Sequence, residues 1–270
     1  MAALRRTAFV LIALALLLYA AILIFLAINQ RAMVFQVPDW HGEVPAGYQE
    51  VSYETSDGLA LTAGFAPPDQ GMPTVLFFHG NATNWTSSPH ATDFLREAGY
   101  GVLAAEYRGY RGNPGEPTEA DMATDARAAW DWLMARGQLP ADTIIIGNSL
   151  GSVPSTQLAG FVEPAALLLI SPIGDMKQIA GDIYWWLPIS LLLQDSYDNI
   201  SRMPAISAPT KIFHGEADRL INVDQARQLQ AASRSAQLMT FAQHGHMAVL
   251  EEDVQQAQLD YIAGLADRPF

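Results

Sequence analysis

The chain has 270 residues, with 15 Lys and Arg against 28 Asp and Glu, and no Cys. Half of the residues are apolar and 16% are charged, which excludes a disordered chain, and the lack of Cys excludes disulfide staples, Cys-ligated zinc, iron–sulfur clusters and thiol nucleophiles. Residues 1–31 hold three Arg and no acid, so the remainder carries 12 basic and 28 acidic side chains, a net of −16 that argues against nucleic acid and against a basic patch for anionic lipid.

Residues 8–28 are an unbroken apolar run of 21 residues. At 1.5 Å per residue a helix of that length spans about 30 Å, the thickness of bilayer hydrocarbon. A cleaved signal peptide would have a shorter apolar core and a small-x-small cleavage site. The reading is a retained transmembrane anchor over residues 1–31. Arg5 and Arg6 precede the run, while Asp39 and Glu43 follow Arg31. The positive-inside rule then leaves the N-terminus in the cytoplasm and the large domain outside, which is the periplasm if the source is bacterial.

Residues 32–48 read as a linker containing Pro38, Gly42 and Pro45, and residues 49–270 as one domain. Residues 49–55 and 59–66 read as two strands joined by Ser56-Asp57-Gly58. Short apolar runs follow at 74–78, 101–106, 143–147, 166–171, 210–213 and 236–241. Helical patterns fall between them, near 90–97, 120–136, 150–160, 223–234 and 249–266. Thr118 fits the N-cap of the second, with Glu119 and Asp121 in its first turn. Apolar strands separated by helices predict an α/β fold, a mostly parallel, doubly wound sheet covered on both faces, with an antiparallel edge from the first two strands. Chemistry in such sheets sits at the carboxyl ends of the strands.

Gly147-Asn148-Ser149-Leu150-Gly151 stands where a strand pattern stops and a helix pattern starts. This is the G-x-S-x-G nucleophile elbow, in which small residues on either side of a strained Ser let strand and helix approach. A hydroxyl nucleophile needs a base, and the base an orienting acid. Both follow in the expected order. Asp218 ends His214-Gly215-Glu216-Ala217-Asp218, with Glu216 and Asp175 as weaker alternatives. His246 is preferred as base over His244 because it follows Gly245. No third ligand sits at helical spacing before this His-x-His pair, so no metal is expected. The loop His79-Gly80-Asn81-Ala82 follows the 74–78 strand. Its Asn81 N–H, with that of Leu150, is expected to form an oxyanion hole. His79 reads as a buried support. Arg108, Arg111 and Arg219 lie near the same face and are either solvated or anion-binding.

These residues resemble the α/β-hydrolase fold, and more narrowly the single-pass, membrane-anchored α/β-hydrolase-domain proteins of the bud-emergence type. The resemblance rests on the N-terminal anchor, on Thr55-Ser56-Asp57-Gly58-Leu59, on Phe78-His79-Gly80-Asn81-Ala82 and on Tyr107-Arg108-Gly109-Tyr110. It continues through Gly112-Asn113-Pro114-Gly115-Glu116-Pro117-Thr118-Glu119, the elbow, Tyr184-Trp185-Trp186-Leu187-Pro188 and His214 to Asp218. Thr83, Arg111 and Ser152 stand where the family often has Gly, and His244-Gly245-His246-Met247 where it reads Gly-Gly-His-Asn. Alignment on Gly245 supports His246 as base. The resemblance implies a serine hydrolase that uses no cofactor. Members of the fold cleave esters, thioesters, lipids and amides, so the substrate stays open.

Residues 172–209 separate two strands by more than a crossover helix needs. The surplus, a cap insertion at about 173–203, is rich in Tyr184, Trp185, Trp186 and branched residues. Three readings fit: a cap that contacts an apolar substrate through those aromatics, plain core, or contact with the bilayer interface. The sequence therefore leads to a membrane-anchored serine hydrolase acting on an ester, thioester or lipid-like acyl substrate through an acyl-enzyme. A peptidase or acyltransferase on the same residues is the alternative, and an anchored binding protein without activity is a more distant one.

Overall fold

No charged or helix-breaking residue interrupts residues 8–28, and the helix they build extends past both ends of the run. In the computed structural model, which describes residues 1–266, α1 spans Ala2–Val34. At 1.5 Å per residue its 33 residues measure about 50 Å. Among the described residues it is the one helix long and apolar enough to cross a bilayer, by length and composition. None of its side chains is buried. The helix stops at Phe35, which turns to extended backbone and enters the core, where its ring meets Tyr197 edge-on at 6.2 Å. Residues 35–47 have no helix or strand, yet they are tied down. Asn84 donates to Trp40 O (3.0 Å) and Arg111 to His41 O (2.7 Å).

The sheet has eight strands: β1 (Gln49–Glu54), β2 (Ala60–Ala66), β3 (Thr74–Phe78), β4 (Gly101–Ala105), β5 (Thr143–Asn148), β6 (Ala166–Ile170), β7 (Thr210–Gly215) and β8 (Ala236–Phe241). Their order is β1-β2-β4-β3-β5-β6-β7-β8. The β1–β2 and β2–β4 pairs are antiparallel and the remaining pairs parallel. The sheet is thus mostly parallel with an antiparallel edge, as the alternation of runs predicts.

Every residue of β3, β4 and β6 is buried. That follows from helices on both faces, which leave no solvent side for alternation to serve. Leu76, Ile145 and Leu169 join a core with α3 (Glu119–Met134), α4 (Ser152–Ala159) and α7 (Val223–Ala232). Phe77, Ile144 and Leu168 join a second core with α2 (Pro89–Glu97) and α8 (Glu252–Ala266). Successive strand residues point to opposite faces, so one strand feeds both cores. Thr118 caps α3, its side chain accepting the N–H of Asp121 at 3.1 Å. The 173–203 stretch contains α5 (Met176–Ile183) and the single turn α6 (Ile189–Leu192), neither with a buried residue.

Candidate active site

β5 delivers Ser149 to the carboxyl edge of the sheet. A tight turn over Ser149–Gly151 precedes α4, so the helix starts two residues later than the pattern predicts. Ser149 has φ 51°, left-handed backbone that costs a side-chain-bearing residue about 1–3 kcal/mol unless the surroundings enforce it. The surroundings are tight. A Cβ on Gly147 would collide with Ser155 Oγ, and one on Gly151 with the carbonyl oxygen of Phe78. The two glycines let α4 close on β5 and the turn close on β3.

Across the sheet edge, Ser149 Oγ lies 2.9 Å from His246 Nε2. His246 Nδ1 lies 2.8 Å from Asp218 Oδ2. Asp218 Oδ1 accepts the backbone N–H groups of Leu220 (2.8 Å) and Ile221 (2.9 Å). Burial pushes the Asp218 carboxyl up, but the His246 hydrogen bond and these two N–H donors outweigh it and hold it below the ordinary carboxylate value. The arrangement can move a proton from the hydroxyl to the imidazole, and the carboxylate can stabilise the cation formed.

The rival residues have other partners. Glu216 accepts from Thr240 Oγ1 at 2.8 Å. Asp175 caps α5, accepting from the N–H of Lys177 at 2.7 Å. His244 Nε2 sits 2.8 Å from Asp253 Oδ1 on α8. His214, which the sequence offers only as the start of its motif, is fully buried, with Nε2 3.5 Å from Asp218 Oδ2 and donating to Ile221 O at 2.9 Å. Desolvation lowers its pKa. Its place four residues before Asp218 in one motif was the available signal.

The loop after β3 borders the same space. Gly80 passes so close that a Cβ there would lie 3.5 Å from Ser149 Cβ. His79 is a buried support, as expected: its Nε2 is 2.6 Å from Glu106 Oε1 and its Nδ1 2.7 Å from Gly80 O. The Asn81 side chain is a junction that sequence did not reveal. It donates to Val34 O and accepts from Gln36 N (2.9 Å) and from the Tyr110 hydroxyl (2.9 Å). The exit of α1 is therefore fastened to this loop.

Arg108 and Arg111 are committed elsewhere. Arg108 is buried among Asp57, Asp121 and Asp125, and Arg111 pairs with Glu50 over the Trp85 ring. Arg219 is exposed.

Ser149, His246, Asn81 and Leu150 line a cleft of about 660 Å³. Met33, Val34 and Gln36, from the end of α1 and just beyond, form part of its wall. The aromatic segment of the cap does not. Tyr184 lines a neighbouring hollow, while Trp185 and Trp186 line neither and are 82% and 46% exposed. Of the three residues expected to contact substrate, none lines the Ser149 cleft and Tyr184 lines the hollow beside it. The segment turns toward α1 instead, where the Tyr19 hydroxyl donates to Trp186 O at 3.0 Å.

The family model for the alpha/beta hydrolase family matches residues 75–206. An uncharacterized protein of Mycobacterium tuberculosis is 34% identical over 237 residues, 85% of this chain and 84% of that protein. Among solved structures, the esterase PF2001 of Pyrococcus furiosus is similar with a TM-score of 0.68 and 19% identity, over 85% of this chain and 97% of the other. A membrane phospholipase A described as a bacterial virulence factor is similar over 96% of this chain and 99% of the other, with a TM-score of 0.63 and 17% identity.

Proposed function

Since the chain belongs to the alpha/beta hydrolase family, we propose that it is a membrane-anchored serine hydrolase that cleaves carboxylic esters through an acyl-enzyme. One observation carries this reading: Ser149 Oγ, His246 and Asp218 form a continuous hydrogen-bonded relay of 2.9 and 2.8 Å, with Ser149 on a strained strand-to-helix turn. Ser149 Oγ attacks the ester carbonyl carbon while its proton passes to His246 Nε2. The N–H groups of Leu150 and Asn81 receive the developing oxyanion. As the tetrahedral adduct collapses, the ester C–O bond breaks and His246 returns the proton to the leaving alkoxide. Water then attacks the acyl-enzyme with His246 again as base, releasing the acid and restoring the Ser149 hydroxyl. Asp218 holds the imidazole with Nε2 toward Ser149 and balances its charge.

α1 serves as a transmembrane anchor, with Arg5 and Arg6 on the cytoplasmic side and the catalytic domain across the membrane. The esterase and phospholipase neighbours make acyl esters the substrate class to test first. The test is labelling of the full-length protein by a fluorophosphonate probe. Label should attach to the wild type and to His244→Ala, and be lost in Ser149→Ala and His246→Ala. A folded wild type that takes no label overturns the proposal.

A further inference from the structure

We infer that the groove between α1 and the α5–α6 cap is an acyl-chain site that opens sideways into the membrane, and that its occupant is an acyl chain of a bilayer glycerolipid. The inference rests on the serine hydrolase reading of Ser149 and names the substrate for that site.

The groove follows from two adjoining cavities. The Ser149 cleft and a second hollow of about 260 Å³ share Met33, Val34, Met176, Ile179 and Leu220 as a common wall. The second hollow extends along α1 to Leu26, inside the 8–28 apolar run. Side by side along that wall, they reach from the nucleophile to the part of the helix that hydrocarbon would surround.

The chemistry of the second hollow suits an alkyl chain. No charged side chain lines it. Gln30 brings an amide, but that amide is already engaged: Nε2 donates to Ala27 O and Leu192 O, and Oε1 accepts from Gln194 N. The Tyr184 hydroxyl is the other polar side-chain group in the lining, and the rest is apolar wall of the kind a hydrocarbon chain fits.

Its depth sets the source. The cap is hydrogen-bonded to α1 at Gln30 and again at Tyr19, eleven residues toward the N-terminus and about 16 Å down the helix. Arg31, paired with Asp195, marks where charge resumes. The cap thus lies alongside the apolar run on its C-terminal half. Ile183, Trp185 and Leu191 are exposed there, at 51%, 82% and 85%, beside the exposed Asp182 and Ser190. In water such a patch is costly, and in the outer half of a bilayer it is at ease. The mouth of the groove therefore sits below the lipid headgroups, in the leaflet on the catalytic domain's side. A glycerolipid entering from that leaflet would lead with its chain between α1 and α5 and bring its ester up to Ser149.

The test uses full-length Ser149→Ala in phosphatidylcholine vesicles containing a phosphatidylcholine with a photoactivatable acyl chain. Adducts are expected within residues 26–34 and 176–193, and filling the hollow with Ala180→Trp should cut adducts in 176–193 at least fivefold. Ala180→Met provides a smaller version should the Trp variant fail to fold. Adducts confined to the N-terminal half of α1, or unchanged by filling the hollow, overturn the inference. In parallel, the wild type should release fatty acid from plain phosphatidylcholine vesicles. Wild type that hydrolyses nitrophenyl acetate and takes the fluorophosphonate label but releases no fatty acid also overturns it, while leaving the serine hydrolase reading intact. Absence of both label and acetate hydrolysis would instead strike that reading, and the crosslinking result would still decide the groove.

Discussion

The turn at Ser149 and the cap over residues 176–193 each break a local rule, and they are held in opposite ways. At the turn the violation is backbone strain, a Ser at φ 51°. It is enforced by fully buried β3 and β6, by Leu150, and by two glycines with no room for a Cβ. In the cap the violation is apolar exposure, with Trp185 and Leu191 more than four-fifths open. Nothing encloses them. The cap leans on α1 through Tyr19, Gln30 and the Arg31–Asp195 pair. A site that must hold atoms to a fraction of an ångström is built into the core. A surface that must meet something apolar is left at the edge.

The largest effect should come from breaking the relay. Ser149→Ala or His246→Ala is expected to lower ester turnover by about 10⁴-fold or more, and Asp218→Asn by about 10³- to 10⁴-fold, with melting temperatures little changed. Turnover of a nitrophenyl ester checks this. A small effect would mean that the turn is ordinary scaffold, and the contrast with the cap would disappear.

Next comes the core that enforces the turn. Leu169, fully buried on β6, should cost about 2–5 kcal/mol when changed to Ala, read from the shift of the denaturation midpoint in detergent. Asn81→Ala severs the link between α1 and the loop beside Ser149. Loss of that link should cost about 1–2 kcal/mol and reduce ester turnover by roughly tenfold. A tenfold loss without a matching change in stability would show that the junction acts on the site itself.

The pH dependence sharpens the same contrast. Folding holds the Asp218 carboxyl below its ordinary value, so the stability it contributes is present above about pH 4, the usual carboxylate value, and drains away as pH falls through the lowered folded value. His214 adds a slope at higher pH. Its pKa is lowered in the fold, so the unfolded chain binds its proton more readily, and stability falls as pH drops below about 6.5. Melting temperatures between pH 7 and 3 should show both, and Asp218→Asn should flatten the lower one. The smallest effect belongs to the cap. Leu191→Ser, at 85% exposure, should shift stability by less than about 0.5 kcal/mol in detergent. A larger loss would mean that Leu191 packs against something in the protein.

The sequence by itself determined the elements, and it singled out three side chains that the fold brings into hydrogen-bond contact. Strand patterns match the observed strands to within a residue or two, and the glycines and Ser of 147–151 mark the strained turn at Ser149. These are local signals: a run of apolar residues, a cap, a spacing enforced by steric contact between chain neighbours. That Asp218 and His246 lie together beside Ser149 was legible because the sheet sends each strand end to one edge, which turns chain order into spatial order. Three things were settled only in three dimensions. Arg108 became a buried hub because Asp57 and Asp125 converge on it from 51 and 17 residues away. Asn81 and the end of α1 came together across 47 residues. The cap set Trp186 against Tyr19 of α1 and left Trp185 open, with neither lining the Ser149 cleft. No local pattern encodes such contacts, because they depend on where independently formed elements dock, and docking is decided by the summed burial of surfaces far apart in the chain.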